Sequence, residues 1–425
     1  MKDVNINIQN LSKIEGHADL DVKVVNGKVE KVKIKFTDNK RFFTQAIRGR
    51  SIDTLAQSVA RICGTCSIAH TMCCLEAIEN ALGVKVSEQT KLLKKLTMNG
   101  LMIRDHALHI YLFTLPDIFN KDSVLDFEGA EADLLKDAFA IKKVGNLLST
   151  VVAGRAVHAP YPAVGGFANI PKNEELKNLV KELKNVRKRL FPVLDIYYNS
   201  KIDYVRRTNF VGLVNNGFDF LDGEILTSRG TRIKEKDYFK YLHKVVLPYS
   251  QAVGYEFKGG TYMVGALARI NLNKNALHKN TKRDAAKYLK LFPSNNIFHN
   301  NLAQGIEILH AIDNSIDIIE KNNFKPEEPV KYTPKACEGV GVIEAPRGTL
   351  FYRLSITKNG TIKEGNIVVP TQQNQINMEL DIKKLVQNNL KKQSKEEIQY
   401  EIEKLIRAYD PCISCATHFL KVNWI

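Results

Sequence analysis

RICGTCSIAHTMCCLEAIENALG, residues 61–83, joins a cysteine pair to what reads as the start of a helix. Two residues separate Cys63 from Cys66, a spacing that lets both thiolates reach one metal, and Gly64 gives the turn between them backbone freedom. Ser67 is placed to cap a helix over IAHTMCCLEAIENAL, which Gly83 would end. Cys66 would then precede a helix N-terminus, where backbone amides and the helix dipole lower a thiol pKa. The counterpart is DPCISC, residues 410–415, with Asp410-Pro411 breaking a helix just before Cys412. His70 follows the first pair by four residues and His418 the second by three. Four thiolates form a soft donor set, and spacing alone leaves zinc, an iron–sulfur cluster, or nickel with iron open. Local zinc sites keep their pairs about 15–20 residues apart. Here the pairs are 412 − 63 = 349 residues apart, so a shared site would join both ends of the fold around its core.

Outward from these pairs the chain reads as helical between two β regions. DLDVKVV and KVEKVKIKF alternate apolar and polar residues across Asn26-Gly27, a hairpin signal. TLFYRLSITK and TIKEGNIVVP flank Asn359-Gly360 in the same way. A long helix is predicted from Ser87 to the Leu115-Pro116 step, with further helical periodicity over 132–153, 173–200, 281–292 and 298–322. Ser394 and Glu397 form a capping box for a last helix with Ile398, Ile402, Leu405, Ile406 and Tyr409 on one face. The expected fold is α+β and predominantly helical, a central helix bundle flanked by N-terminal and C-terminal β-hairpin regions. Its expected divisions are 1–50, 51–335 and 336–425.

Composition excludes several classes. Lys and Arg exceed Asp and Glu by 62 − 46 = 16, yet the charges share solvated amphipathic faces such as NEELKNLVKELKNVRKRL (173–190). No basic cluster interleaved with aromatics accompanies a nucleic-acid-binding motif, so no nucleic-acid partner is expected. No run of 18 apolar residues spans a membrane, and MKDVNINIQN lacks an export signal, which points to the cytoplasm. Seven cysteines in 425 residues do not make a disulfide framework. Cys73, Cys74 and Cys337 match no motif and read as buried small apolar residues.

R-I-C-G-x-C-x-x-x-H paired with D-P-C-x-x-C-x-x-H resembles the large subunit of nickel–iron hydrogenases. Lys13-Ile14-Glu15-Gly16-His17, Gly154-Arg155 with His158, VGALARINLN (264–273), Ala345-Pro346-Arg347-Gly348 and Val369-Pro370-Thr371 extend the resemblance along the whole chain. The resemblance implies that Cys63 and Cys412 are terminal nickel ligands, and that Cys66 and Cys415 also bridge to an iron carrying carbon monoxide and cyanide. It implies reversible heterolytic cleavage of dihydrogen. Cys412 would take the proton, Glu15 would relay it, and Arg347 would stand over the metal pair. Pro346 and Thr371 would line the iron-ligand pocket, Asp105 and Asp410 would lie near Arg347, and His70 would hydrogen-bond a thiolate. His106 and His109 read as satisfied helix-face histidines.

Two residues depart from the family pattern. Thr44 stands where an R-x-F-E segment usually carries an acid, so a further magnesium or iron ion keeps only His418 as a ligand. Lys13 stands where arginine is usual and loses its planar fork. The resemblance further implies a maturation endopeptidase that removes residues 419–425 after His418. For partners it implies an iron–sulfur small subunit, with further subunits binding NAD(P), flavin or a deazaflavin coenzyme. No nucleotide-binding glycine pattern appears in this chain. The competing readings are a non-catalytic, hydrogenase-like scaffold with a zinc or empty four-cysteine site, and a membrane-bound energy-converting branch.

Overall fold

A computed structural model describes residues 4–38 and 42–417. At the N-terminus, strands Val4–Ile8, Ala18–Val25 and Lys28–Phe36 form an antiparallel sheet in chain order. Asn26 and Gly27 both take positive φ, as a two-residue hairpin turn requires. Leu20, Val22 and Val24 alternate onto the buried face. The C-terminal sheet is also antiparallel, with strands Cys337–Ala345, Gly348–Ile356 and Ile362–Val368. Both predicted hairpins are present. Each sheet also has a third strand that the alternation did not announce.

Helix Ser67–Leu82 lies across strand Cys337–Ala345 at very short range. A Cβ on Gly341 would stand 2.4 Å from the Cys73 carbonyl oxygen, so only glycine admits this approach. The helix begins one residue earlier than expected: Cys66 is its cap, and the Ser67 hydroxyl instead accepts the His158 N–H at 3.0 Å. Gly83 ends it in the left-handed region as expected.

The bundle between the sheets is built from Glu88–Ala107, Ala130–Ala153, Asn173–Arg187 and His299–Lys321. Pro116 does not stop the first of these. The chain widens into a π-helical stretch, Leu108–Thr114, and then starts a short helix, Leu115–Ile118. Pro116 falls in the first turn of that helix, where its missing N–H has no intrahelical partner to lose. The segment 173–200 divides at a 3-10 turn before Phe191–Asn199, and 281–292 holds only the short helices Lys279–Asp284 and Ala286–Leu289.

The middle of the chain is less helical than the expected bundle core over 51–335. Asn209–Val214, Glu224–Thr227, Arg232–Lys234 and Tyr262–Met263 form a four-stranded sheet, and Leu242–Val246 pairs with Val253–Phe257. Among the described residues, the larger of two apolar clusters nevertheless runs from Ile6 to Ala416. Helix Pro370–Asn389 ties the N-terminal sheet to it through polar side chains. Gln387 and Glu379 accept the Val29 and Ile34 N–H groups, each at 2.9 Å. Among the described residues, no helix is long and apolar enough to cross a membrane.

Candidate metal centre

The Cys63 and Cys66 sulfurs meet those of Cys412 and Cys415 in the buried middle of the molecule. All four Sγ atoms lie within 4.8 Å of one another. Cys63 faces Cys412 at 3.4 Å and Cys66 faces Cys415 at 2.9 Å, with no disulfide between them. Helix Lys395–Ala408, started by the predicted Ser394–Glu397 capping box, delivers the second pair. The chain then turns through Asp410 at positive φ. Gly64 has open space around it and no positive φ, so neither sterics nor backbone requires glycine there.

Glu15 reaches this site because its backbone runs beside the second pair. Its carbonyl accepts the Ile413 N–H at 2.9 Å, and its Oε2 accepts both the Cys412 thiol and the Ser414 N–H at 3.0 Å. Gly16 permits this approach: it takes φ +85°, and a Cβ would stand 2.7 Å from that of Ile413. Burial, and then the charge of Cys63, push the Glu15 carboxyl above its ordinary range. Thr371 accepts the Cys412 N–H at 2.9 Å. His70 links Cys415 Sγ, 3.5 Å from Nε2, to the Tyr352 hydroxyl, 2.8 Å from Nδ1.

The four thiols do not share one proton affinity. Hydrogen bonds from Cys412, Cys415 and Cys66 hold Cys63 well below the ordinary thiol range. Cys412 and Cys415 are pushed well above it, by burial first. Cys66 was expected to fall. Hydrogen bonds from Cys412 and Cys415 do lower it, but Cys63 and burial outweigh them and the net shift is upward. A buried helix N-terminus next to a thiolate is not the exposed situation from which the expectation came.

Arg347 lines the same cavity as three of the sulfurs. It donates to Asp105 at 2.7 Å and pairs with Asp410 at 3.0 Å, and all three side chains are buried. Burial works against the guanidinium charge, but the two carboxylates more than offset it. Pro346, Arg347 and Thr371 line a small cavity together with His70, Cys66 and Cys415. Cys412 also touches that cavity, whereas Cys63 does not line it. The donor set fits a thiolate-held metal pair, and the Arg347 Nε, buried without a hydrogen-bond partner, suits a small polar group beside it.

The remaining expectations divide. His109 contacts Gln304 at 2.6 Å and the Arg407 carbonyl at 2.8 Å and is a satisfied core histidine, whereas His106, equally buried, contacts Glu307 at 2.8 Å through Nε2 and leaves its Nδ1 without a partner. Cys73 and Cys74 are fully buried, but Cys337 is only half-buried, because it begins an edge strand. Thr44 lies in a single helical turn, Phe43–Ala46. His418 and the segment 419–425 fall outside the described residues. Sequence reading missed Tyr352, Gln304, Asp117 and Arg269, each joined to the site by contacts too distant in sequence for spacing to signal.

A family profile described as nickel-dependent hydrogenase matches residues 41–146 and 244–418. The alpha chain of sulfhydrogenase 2 from Pyrococcus furiosus is 31% identical over 98% of this chain and 100% of its own length. A vhu-type F420-non-reducing hydrogenase polypeptide of Methanocaldococcus jannaschii is 31% identical over 89% of this chain and 98% of its own length. Among solved structures, an NAD+-reducing [NiFe]-hydrogenase in the H2-reduced state superposes with a TM-score of 0.87 at 22% identity, covering 98% of this chain and all of the other. Sulfurs from both ends of the polypeptide at one buried point, on this fold and with these relatives, make the chain a member of the nickel-dependent hydrogenase family: the large, catalytic component, which works on dihydrogen at a nickel–iron centre.

Proposed function

We propose that Cys63 and Cys412 are terminal nickel ligands, and that Cys66 and Cys415 hold nickel and iron together. The cavity borders both proposed bridging sulfurs, Cys66 and Cys415, and Cys412 as well, whereas Cys63 does not line it. Dihydrogen is a very weak acid without a lone pair, so heterolysis needs a Lewis acid and an adjacent base. When bound, the nickel–iron pair supplies the Lewis acid and accepts the electrons. Cys412 Sγ is the base, and it hands the proton to Glu15 Oε2, 3.0 Å away. Arg347, held by Asp105 and Asp410, would present a fixed positive charge to carbon monoxide and cyanide on a bound iron. Pro346 and Thr371 wall the same cavity, and His70 orients the Cys415 thiolate.

The observation that carries this reading is the convergence of four sulfurs within 4.8 Å, one of them hydrogen-bonded to a partly buried carboxylate. Infrared spectroscopy of the purified complex tests it. Bands of iron-bound carbon monoxide and cyanide are expected, together with nickel, and with iron in excess of nickel because of the clusters of the small subunit. Zinc, or a metal-free site without those bands, would sink it and favour the scaffold.

Electrons leaving this site need a conductor, and all four motif cysteines are committed to the metals. The reading therefore includes an iron–sulfur small subunit, together with further subunits that bind NAD(P), flavin or a deazaflavin coenzyme. Its relatives are each named as one component among several, which supports a multi-subunit assembly. Cytoplasmic location and endopeptidase cleavage after His418 complete the reading, while Thr44 in place of the family's acid argues against a magnesium or iron ion at His418.

A further inference from the structure

Arg347 sits at the tip of a buried hairpin. Ala345 pairs with Gly348, so Pro346 and Arg347 alone make the turn. Two-residue turns usually face water, which satisfies their carbonyl groups. This one is enclosed, with Ala345 4% and Arg347 5% exposed. An unpaired carbonyl there would carry the full desolvation penalty.

Arg269, on helix Ala266–Asn273, supplies the donors. It reaches the Ala345 carbonyl at 3.0 Å and the Pro346 carbonyl at 2.9 Å. Its other N–H groups bind Glu307 in a two-point contact, both at 2.6 Å, and Glu344 at 2.7 Å. Glu344 also accepts the Thr349 hydroxyl at 2.8 Å, so the strand leaving the turn is held by the same carboxylate. Glu307 in turn contacts His106 at 2.8 Å, and His106 is the chain neighbour of Asp105, the 2.7 Å partner of Arg347. The backbone beneath Arg347 and the carboxylate beside it therefore both lead to Glu307.

We infer that Arg269 and Glu307 are positioning residues, which lock the Pro346–Arg347 turn and Asp105 into one unit and so set where the Arg347 guanidinium stands. A fully buried ion cluster is a poor way to add stability. It is an effective way to fix geometry, because a planar fork can serve several acceptors in set directions where an ammonium cannot. The inference rests on the reading that iron-bound diatomic ligands occupy the cavity beside Arg347.

The test uses R269K, R269M and E307Q in the complete complex, read by metal content, infrared bands and turnover. Nickel and iron should be retained in R269K and E307Q, with the iron-ligand bands displaced or broadened and turnover lower by about 10- to 100-fold. R269M should be worse than R269K. Unshifted bands in fully metallated E307Q and R269K would overturn the inference. Loss of metal from all three variants would also overturn it, in favour of a role in folding alone. Absence of the bands from the wild type would instead sink the reading of the cavity, which separates the two failures.

Discussion

At the scale of single residues, the site is organised by what each polar group can reach. Glu15 accepts two donors through one oxygen, the Cys412 thiol and the Ser414 N–H. E15Q keeps the size and an amide oxygen able to accept the Ser414 N–H, but an amide cannot take up and release a proton near neutral pH. General acid–base groups contribute about 10²–10⁴-fold, so E15Q should lose that much in hydrogen-dependent dye reduction and in deuterium–water exchange. Its iron-ligand bands should stay in place. Exchange at the wild-type rate would remove Glu15 from the proton route. Lys13 has a physical account at the same scale. The Arg407 fork already occupies both oxygens of Asp117, at 2.7 and 2.9 Å, so the contact left to Lys13, at 2.9 Å, calls only for a point charge. Through Asp117, the segment that carries Glu15 is fastened to the helix that delivers Cys412.

At the scale of elements, the first cysteine pair is placed by how closely helix Ser67–Leu82 approaches the C-terminal sheet. An alanine at position 341 would put Cβ 2.4 Å from the Cys73 carbonyl and 2.8 Å from the Ala77 nitrogen, both backbone atoms that cannot swing aside. Overpacking of this kind costs about 1–3 kcal/mol, or more where backbone must move. G341A should therefore melt at lower temperature and bind less nickel, because Cys66 rides on the displaced helix. An alanine at position 64 meets no atom within 4 Å and should barely change the melting temperature. Calorimetry and metal analysis of both variants decide it, and equal behaviour would refute the packing argument. This contrast also shows what the sequence carries in legible form. Cys63, Cys66, Cys412 and Cys415 were legible because their spacing is local within each pair. The hairpins at Asn26-Gly27 and Asn359-Gly360 were legible because two residues fix the turn. Strand Cys337–Ala345 was not, because Gly339 and Gly341 interrupt its alternation for the sake of a helix that is distant in sequence. Helix Pro370–Asn389 escaped as well, because its buried residues include Gln372, Gln373, Asn374, Gln375 and Asn377, and an apolar period is what betrays a helix. Arg269 lay in a stretch that resembled the family without suggesting a role, since its partners come from elements that only the folded chain brings together.

At the scale of the whole molecule, the sulfur site closes a loop of 349 residues and joins the N-terminal segment, helix Ser67–Leu82 and helix Lys395–Ala408 at one point. Without metal, buried thiols must keep their protons or repel one another as thiolates. With metal, the same burial becomes favourable, so binding free energy is also folding free energy. Stripping the metals should therefore lower the melting temperature. At about 2–4 °C per kcal/mol for domains of 150–250 residues, the shift in this longer chain should still be a few degrees. The loss should be local in a particular way. The strands Ala18–Val25 and Lys28–Phe36 and the helix Lys395–Ala408 meet the site through Glu15 and Cys412, and they are fastened together through Asp117. The four-stranded sheet led by Asn209–Val214 is built around a separate apolar cluster that includes Val211, Tyr238 and Tyr262. Hydrogen exchange on the stripped and metallated complex should then accelerate together in residues 4–38 and 395–417, with the 209–263 sheet unchanged. Uniform acceleration would mean that the metals stabilise only the global fold, and no acceleration would mean that the two ends hold together without them. Either result would defeat the idea that the metal centre is the clasp between the termini of the fold.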